Sequence, residues 1–280
     1  MLAALPVWPT TKAILAYCWA ERRVLAKHGV APLVLLMGID TYGAFSDLEI
    51  KEEVWQAITS LLALFIYAPL LVTWYRTVAF GEQEANRRAA FSFGQLEGAV
   101  IMVNILVTIV ILLALLPLGA FVLRGGAIFG SMSELAGQIA SVVFAIPAAF
   151  AWFVIFTRLS VALAFAAAGR HATIRETWRV TAPFGLAMTF VHVCLGLIVG
   201  GGWGVVAIVV LGGMTLAGIP LDGDDVSPAA QMVVALLSTL FEMTYFIVTT
   251  TLFGVVYRRL STQETTWPSL LPKEALSPSL

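Results

Sequence analysis

Charge is scarce in this chain. Only 12% of its 280 residues are charged, about half the share in a soluble domain, while 60% are hydrophobic. A water-soluble fold has no means of concealing so much apolar side chain, so bilayer is the predicted solvent. Cysteine is also rare. Cys18 and Cys194 lie far apart, one at a predicted interface and one inside a predicted span, which argues against a disulfide framework and leaves both as small hydrophobes. The three histidines, His28, His171 and His192, fit no zinc-protease spacing, and neither a serine nucleophile elbow nor a paired-cysteine metal motif is present. Recognisable enzyme, metal and cofactor signatures are therefore missing. A net charge of −1 without a concentrated basic face gives no ground for nucleic acid as a partner. No basic stretch precedes an apolar core at the start, where Pro6 and Pro9 intervene, so the first residues do not read as a cleavable leader.

What the chain has in abundance is long apolar runs. About 20 helical residues cross a hydrocarbon core of about 30 Å, and six runs qualify as candidates: 30–45, 54–75, 98–123, 135–157, 184–213 and 229–257. The first is the shortest and contains Asp40. The predicted fold is an all-α polytopic membrane bundle of six transmembrane helices, occupying 1–258 as a single domain, with a flexible tail over 259–280. Orientation follows from the cations, because loops rich in Lys and Arg stay in the cytoplasm. Of the 16 Lys and Arg residues, 14 fall in the amino-terminal segment, the second and fourth loops and the tail, whereas the other loops hold Lys51 and Arg124 beside acidic residues such as Asp222, Asp224 and Asp225. Both termini are predicted to be cytoplasmic. The turn at 222–225 lacks full calcium-loop spacing and reads as solvated.

A pattern recurs at the basic boundary. Helices returning to it end in Trp74-Tyr75-Arg76, Phe156-Thr157-Arg158 and Val256-Tyr257-Arg258. Short aromatic amphipathic stretches precede the outgoing helices: Tyr17 and Trp19 near Arg22 and Arg23, Phe91 and Phe93 after Arg87 and Arg88, and Trp178 between Arg175 and Arg179. The reading is a threefold parallel repeat of interfacial helix, outgoing span and returning span, with a period of roughly 80–100 residues. Aromatic rings at the headgroup layer, with arginine reaching phosphate, would fix helix depth or bind anionic lipid. The anchor residues in this sense are Trp74, Tyr75, Arg76, Arg158, Trp178, Arg179, Tyr257 and Arg258. Thr173-Ile174-Arg175-Glu176 further matches a capping box, in which threonine and glutamate satisfy free amides at a helix start.

Inside the spans, small residues form stripes. Gly196, Gly200 and Gly204 share one face of the fifth span, and Gly137, Ser141, Ala145 and Ala149 share one face of the fourth. Such faces let helix backbones approach where no hydrophobic drive remains, so the two are predicted to meet each other or a partner. Gly200-Gly201-Gly202 lacks the strand and helix context of a phosphate loop. Pro69 and Pro147 should bend the second and fourth spans. Asp40, Asn104, His192 and Glu242 are the polar candidates within hydrocarbon. Glu242 lies deepest, with no Lys or Arg in a span core to neutralise it. It should face the interior and bond a neighbour such as His192, Asn104 or a threonine, or relay protons or cations with His192.

The stretch Gly169-Arg170 and Arg175-Glu176-Thr177-Trp178-Arg179-Val180-Thr181, together with Trp74-Tyr75-Arg76 followed by Gly81-Glu82, resembles signatures of six-helix bacterial inner-membrane proteins. These are related to the membrane domain found beside some glycerophosphodiester phosphodiesterases. The resemblance implies a bacterial cytoplasmic membrane and a non-catalytic domain; the phosphodiesterase barrel itself has no counterpart in this sequence. Two functions follow as expectations. One is a non-enzymatic envelope-integrity or complex-assembly protein working with anionic lipid and a membrane-protein partner or a second copy of itself. The other is a transporter for protons, a small solute or lipid, using Glu242 and His192.

Overall fold

A computed structural model describes residues 5–45, 52–83, 92–130, 133–219 and 227–262. The expectations for Arg87, Arg88 and Phe91, for the acidic turn at 222–225 and for the tail beyond 262 lie outside these residues, as does the side chain of Asp40. The described residues form α-helices: α1 Val7–Ala20, α2 Arg22–Phe45, α3 Glu52–Phe80, α4 Gln95–Gly130, α5 Glu134–Ala167, α6 Ile174–Thr181, a 3-10 turn over Ala182–Phe184, α7 Gly185–Leu216 and α8 Pro228–Thr262.

Local chemistry explains several of the boundaries. Ser133 caps α5 by accepting from the Ala136 amide at 3.1 Å. The capping box of α6 forms: the Glu176 amide donates to Thr173 Oγ1 at 3.2 Å, and Glu176 Oε2 accepts from the Thr173 amide at 2.8 Å. Gly169 and Gly218 end α5 and α7 at φ of 74° and 75°. Their turns are closed by bonds from the Arg170 amide to the Phe165 carbonyl and from the Ile219 amide to the Met214 carbonyl, at 2.9 and 3.0 Å. Only glycine takes that left-handed conformation without strain. Pro32, Pro69, Pro117 and Pro147 all sit inside helices that continue through them.

Among the described residues, five segments are long and apolar enough to cross a membrane: Val54–Phe80, Gln95–Arg124, Leu135–Ala167, Ile174–Leu216 and Pro228–Ser261. The chain is a multi-pass membrane helix bundle. The run expected as the first crossing, now part of α2, is not among the five. Its uninterrupted apolar stretch is only 30–39, about 15 Å of helix, flanked by Lys27 and Asp40. Yet α2 runs antiparallel along α3. Val24 packs with Leu70 and Trp74 towards one end, and the Tyr42 ring lies 6.0 Å from that of Trp55 towards the other.

α4 and α5 form the closest pair, with Val107 and Ile111 against Leu159 and Ala162 and Phe121 edge-on to Phe144 at 5.0 Å. α8 touches α1, α2, α3, α5 and α7. The main core gathers at the arginine-bearing end of the bundle, where Tyr75, Val161, Phe165, Phe184, Met188, Leu195, Leu252 and Tyr257 are buried together. Towards the opposite end the same helices carry exposed apolar side chains, among them Leu116, Leu123, Ile146, Ile208, Val209 and Met232. One end of the bundle is thus filled by protein, and the other presents its apolar surface outward.

Tyr75, Thr157 and Tyr257 point inward at 2%, 0% and 1% exposure, while the arginine after each is half-buried or exposed.

Candidate functional site

The packed end holds a set of buried polar groups. His192 of α7 is 1% exposed and shares a hydrogen bond of 2.6 Å between its Nε2 and the Tyr245 hydroxyl of α8. Its ring is walled edge-on by Phe153 and Phe156 of α5 at 5.1 and 5.6 Å, with Phe253 of α8 at 6.1 Å. Nδ1 has no hydrogen-bond partner among the described residues. This is an apolar box with one polar exit, through the half-buried Tyr245.

Hydroxyls tie the surrounding helices. Thr157 of α5 and Thr189 of α7 meet at 3.0 Å, and each also lies at 2.9 Å from a carbonyl one turn back, those of Phe153 and Gly185. Thr251 of α8 accepts from Trp74 Nε1 of α3 at 2.8 Å while donating to the Ile247 carbonyl at 2.8 Å. Cys18 of α1 lies 3.3 Å from the same hydroxyl, which joins α1, α3 and α8 at one atom. Tyr17 donates to the Thr77 carbonyl at 3.1 Å. Its burial, with Glu21 nearby, pushes the phenol up to about 12, so it stays a neutral donor.

The boundary residues separate into two kinds. Trp74, Tyr75 and Tyr257 are core residues at 1–2% exposure, not rings lying in the headgroup layer as expected: their helices run on past them, to Phe80 and Thr262, and α1 packs over that end. Tyr257 meets Phe165 edge-on at 5.1 Å. Arg76 lies over Phe80 at 5.2 Å. Arg158 is stacked 3.5 Å from the Trp178 ring centroid. It donates through Nε to Thr181 Oγ1 at 3.3 Å and through Nη2 to the Trp178 carbonyl, fastening α6 to α5. Trp178 is 39% exposed, and Arg179 and Arg258 are exposed.

Glu242 is exposed rather than interior. α8 buries the face bearing Met243, Ile247 and Thr251, and a one-residue offset rotates Glu242 away from it by about 100°. Asn104 is half-buried on α4 with the Thr108 hydroxyl of the same helix at 3.5 Å. The polar partner of His192 is instead Tyr245, which sequence reading missed; its position one turn after Phe241 and four residues before the Thr249-Thr250-Thr251 run was the available signal.

The small-residue stripes divide as well. A side chain at Gly196 would touch Tyr245 of α8 at 3.5 Å, whereas Gly200 and Gly204 have nothing within 4 Å of an added Cβ. They line an apolar groove of about 350 Å³ between α7 and α8, with Trp203, Leu211, Leu237 and Phe241. On α5, Gly137 is buried, Ser141 and Ala145 are half-buried and Ala149 is exposed. α5 does pack on α7, but the glycine stripe turns towards α8. No family model, characterised protein or solved structure matches the chain.

Proposed function

We propose that the chain is a non-enzymatic subunit or scaffold of a membrane assembly, supporting envelope integrity in a bacterial cytoplasmic membrane. The observation that carries this reading is the unfilled groove between α7 and α8. Gly200 and Gly204 offer backbone at close range with no side chain of the described residues against it, and Glu242 is exposed on α8 beside groove-lining Phe241. In lipid, helices associate by such close backbone approach, and an additional helix fits the groove on that ground.

Six crossings with both termini in the cytoplasm remain the best reading of topology. α1 and the end of α8 meet at one end of the bundle, through Cys18 and Thr251. α3 arrives at that same end with Thr77, so α2 has to traverse the bundle in the opposite sense to reach the start of α3. Its short apolar stretch is shielded on one side by α3 and α8. The inward Tyr75, Thr157 and Tyr257, each followed by a more exposed arginine, support the threefold repeat, and the basic boundary supports contact with anionic lipid.

A photocrosslinking residue placed at Ser238, which lines the groove, tests the assembly reading in native membranes. Discrete protein adducts should form and should vanish when Gly200→Leu and Gly204→Leu fill the groove. Adducts with lipid only would remove the reading's main support.

A second reading, proton movement across the bilayer, has the His192–Tyr245 bond in its favour, since it joins a buried imidazole to a partly exposed phenol one turn from Glu242. Proton flux into proteoliposomes that falls with both Tyr245→Phe and Glu242→Gln would support it; flux indifferent to both would dismiss it.

A further inference from the structure

Beneath α1, at the arginine-bearing end, lies a second cleft, of about 510 Å³, within the size range of small-molecule sites. α1 contributes Ala13, Ile14 and Tyr17, α3 contributes Val78, and α8 contributes Val255 followed by Arg258 and Arg259. The wall is mostly apolar, with Thr10 the other polar side chain beside Tyr17 and the two arginines. Its one phenol is already committed, because Tyr17 donates to the Thr77 carbonyl at 3.1 Å. The charged lining residues are Arg258 and Arg259, adjacent at the end of the last helix, of which Arg258 is exposed, and Glu21 acts on Tyr17 from nearby. Arg259 lies over Phe184 at 5.7 Å, which helps to set its position.

The setting narrows the occupant. α1 carries Trp8 and Trp19 at 54% and 73% exposure, with Lys12 over Trp8 at 5.2 Å and Arg22 over Trp19 at 5.2 Å. Exposed tryptophans paired with cations are what a helix lying in the headgroup layer presents. A cleft at that depth with an apolar wall and a dication suits a molecule that is hydrocarbon at one end and anionic at the other. Guanidiniums favour phosphate because their planar donors match two of its oxygens.

We propose that this cleft binds one phospholipid with an anionic headgroup, its phosphate on Arg258 and Arg259 and an acyl chain against Ile14, Val78 and Val255. The site is separate from the α7–α8 groove and independent of what fills it. A lipid seated here wedges α1 against α8 and so couples the amino-terminal helix to the membrane's anionic content.

The test uses the full chain, delipidated in a neutral detergent, with native mass spectrometry counting retained lipid during titration with dioctanoyl-phosphatidylglycerol. Dioctanoyl-phosphatidylcholine and inorganic phosphate are run in parallel. One phosphatidylglycerol should be retained in preference to phosphatidylcholine. The double variant Arg258→Gln with Arg259→Gln should weaken it on the order of 30-fold, the equivalent of about 2 kcal/mol for two cations near the surface. Ala13→Trp, at an exposed position of the wall, fills the apolar arm without altering charge and should also weaken binding at least several-fold. Arg124→Gln removes an exposed arginine at the opposite end of the bundle and should leave affinity unchanged. The proposal is overturned if that control weakens binding as much as the Arg258/Arg259 pair, if Ala13→Trp has no effect, or if inorganic phosphate displaces the lipid with similar affinity. Should the Arg258/Arg259 variant not survive purification, Ala13→Trp decides the matter alone.

Discussion

One substitution, glycine to alanine, should act with opposite sign at two positions of the same bundle. Gly254 of α8 sits where α8 presses on α3, and a Cβ added there would lie 2.8 Å from Val78 Cγ1 and 3.0 Å from Val78 Cβ. Val78 is itself 2% exposed, and its β-branched side chain has one strongly favoured rotamer in a helix. It cannot swing aside, so α3 and α8 must separate by some tenths of an ångström, at an overpacking cost of about 1–3 kcal/mol. Gly200 of α7 has nothing within 4 Å, and alanine there meets no neighbour. Both replacements gain the helix preference of alanine over glycine, up to about 1 kcal/mol. Gly200→Ala should therefore be neutral to stabilising, and Gly254→Ala neutral to destabilising by about 2 kcal/mol, with a difference between the two of about 1–3 kcal/mol.

Thermal unfolding in one detergent, followed by tryptophan fluorescence, measures the difference. At about 2–4 °C per kcal/mol for a chain near this size, it amounts to several degrees. A companion substitution isolates the cause: Val78→Ala removes the atom at 2.8 Å and should make Gly254→Ala less costly than in the parent. If the two alanine variants unfold within experimental error of each other, or if Val78→Ala leaves the cost of Gly254→Ala unchanged, the close approach of α3 and α8 at this point is wrong.

Three further outcomes follow from the polar groups of the packed end. Trp74→Phe deletes the 2.8 Å bond to Thr251 in a site that is 1% exposed, and should cost about 1–2 kcal/mol in detergent unfolding; Thr251→Val in the same background should then add less than it does alone. Thr173→Ala removes the amino-terminal cap of α6 and should cost about 1 kcal/mol, with faster hydrogen exchange over 174–181 as the local readout and unchanged exchange there as the contrary result. Because Tyr17 is pushed up to about 12, the folded state favours the neutral phenol more than the unfolded chain does. Stability should be intact below pH 10 and fall as pH rises from about 10 towards 12, and Tyr17→Phe should flatten that part of the curve.

Much of the architecture was legible because lipid imposes a simple rule on composition. Spans beginning near 54, 98, 135, 184 and 229 lie within helices that cross by length and apolarity, and the capping box at Thr173 and Glu176 forms as its spacing implies. The first predicted span was harder: its apolar stretch is short, it is not among the segments long and apolar enough to cross, and its packing depends on contacts with α3 and α8 that composition does not encode. Helix ends were misread in one direction: α5 continues to Ala167, ten residues beyond the Thr157-Arg158 boundary, and those residues are as buried as any in the bundle. A helix is free to continue beyond an aromatic-arginine boundary where other helices pack against it.

The same principle explains why the polar site was misassigned. In water, periodicity separates the buried face of a helix from the exposed one, because only one of them is apolar. In hydrocarbon both faces are apolar, so α8 gives almost no sequence cue as to which side meets protein. Glu242 and His192 looked like natural partners because both are ionisable and intramembrane. Yet α8 turns Tyr245 towards His192 at 2.6 Å while Glu242 faces outward. What fixes the inward face is residue volume and hydroxyl placement: Gly254 against Val78, Thr251 against Trp74, and Thr157 against Thr189. Composition marks Glu242 as intramembrane and ionisable; which way it faces is set by the packing of its neighbours on α8, which composition does not record.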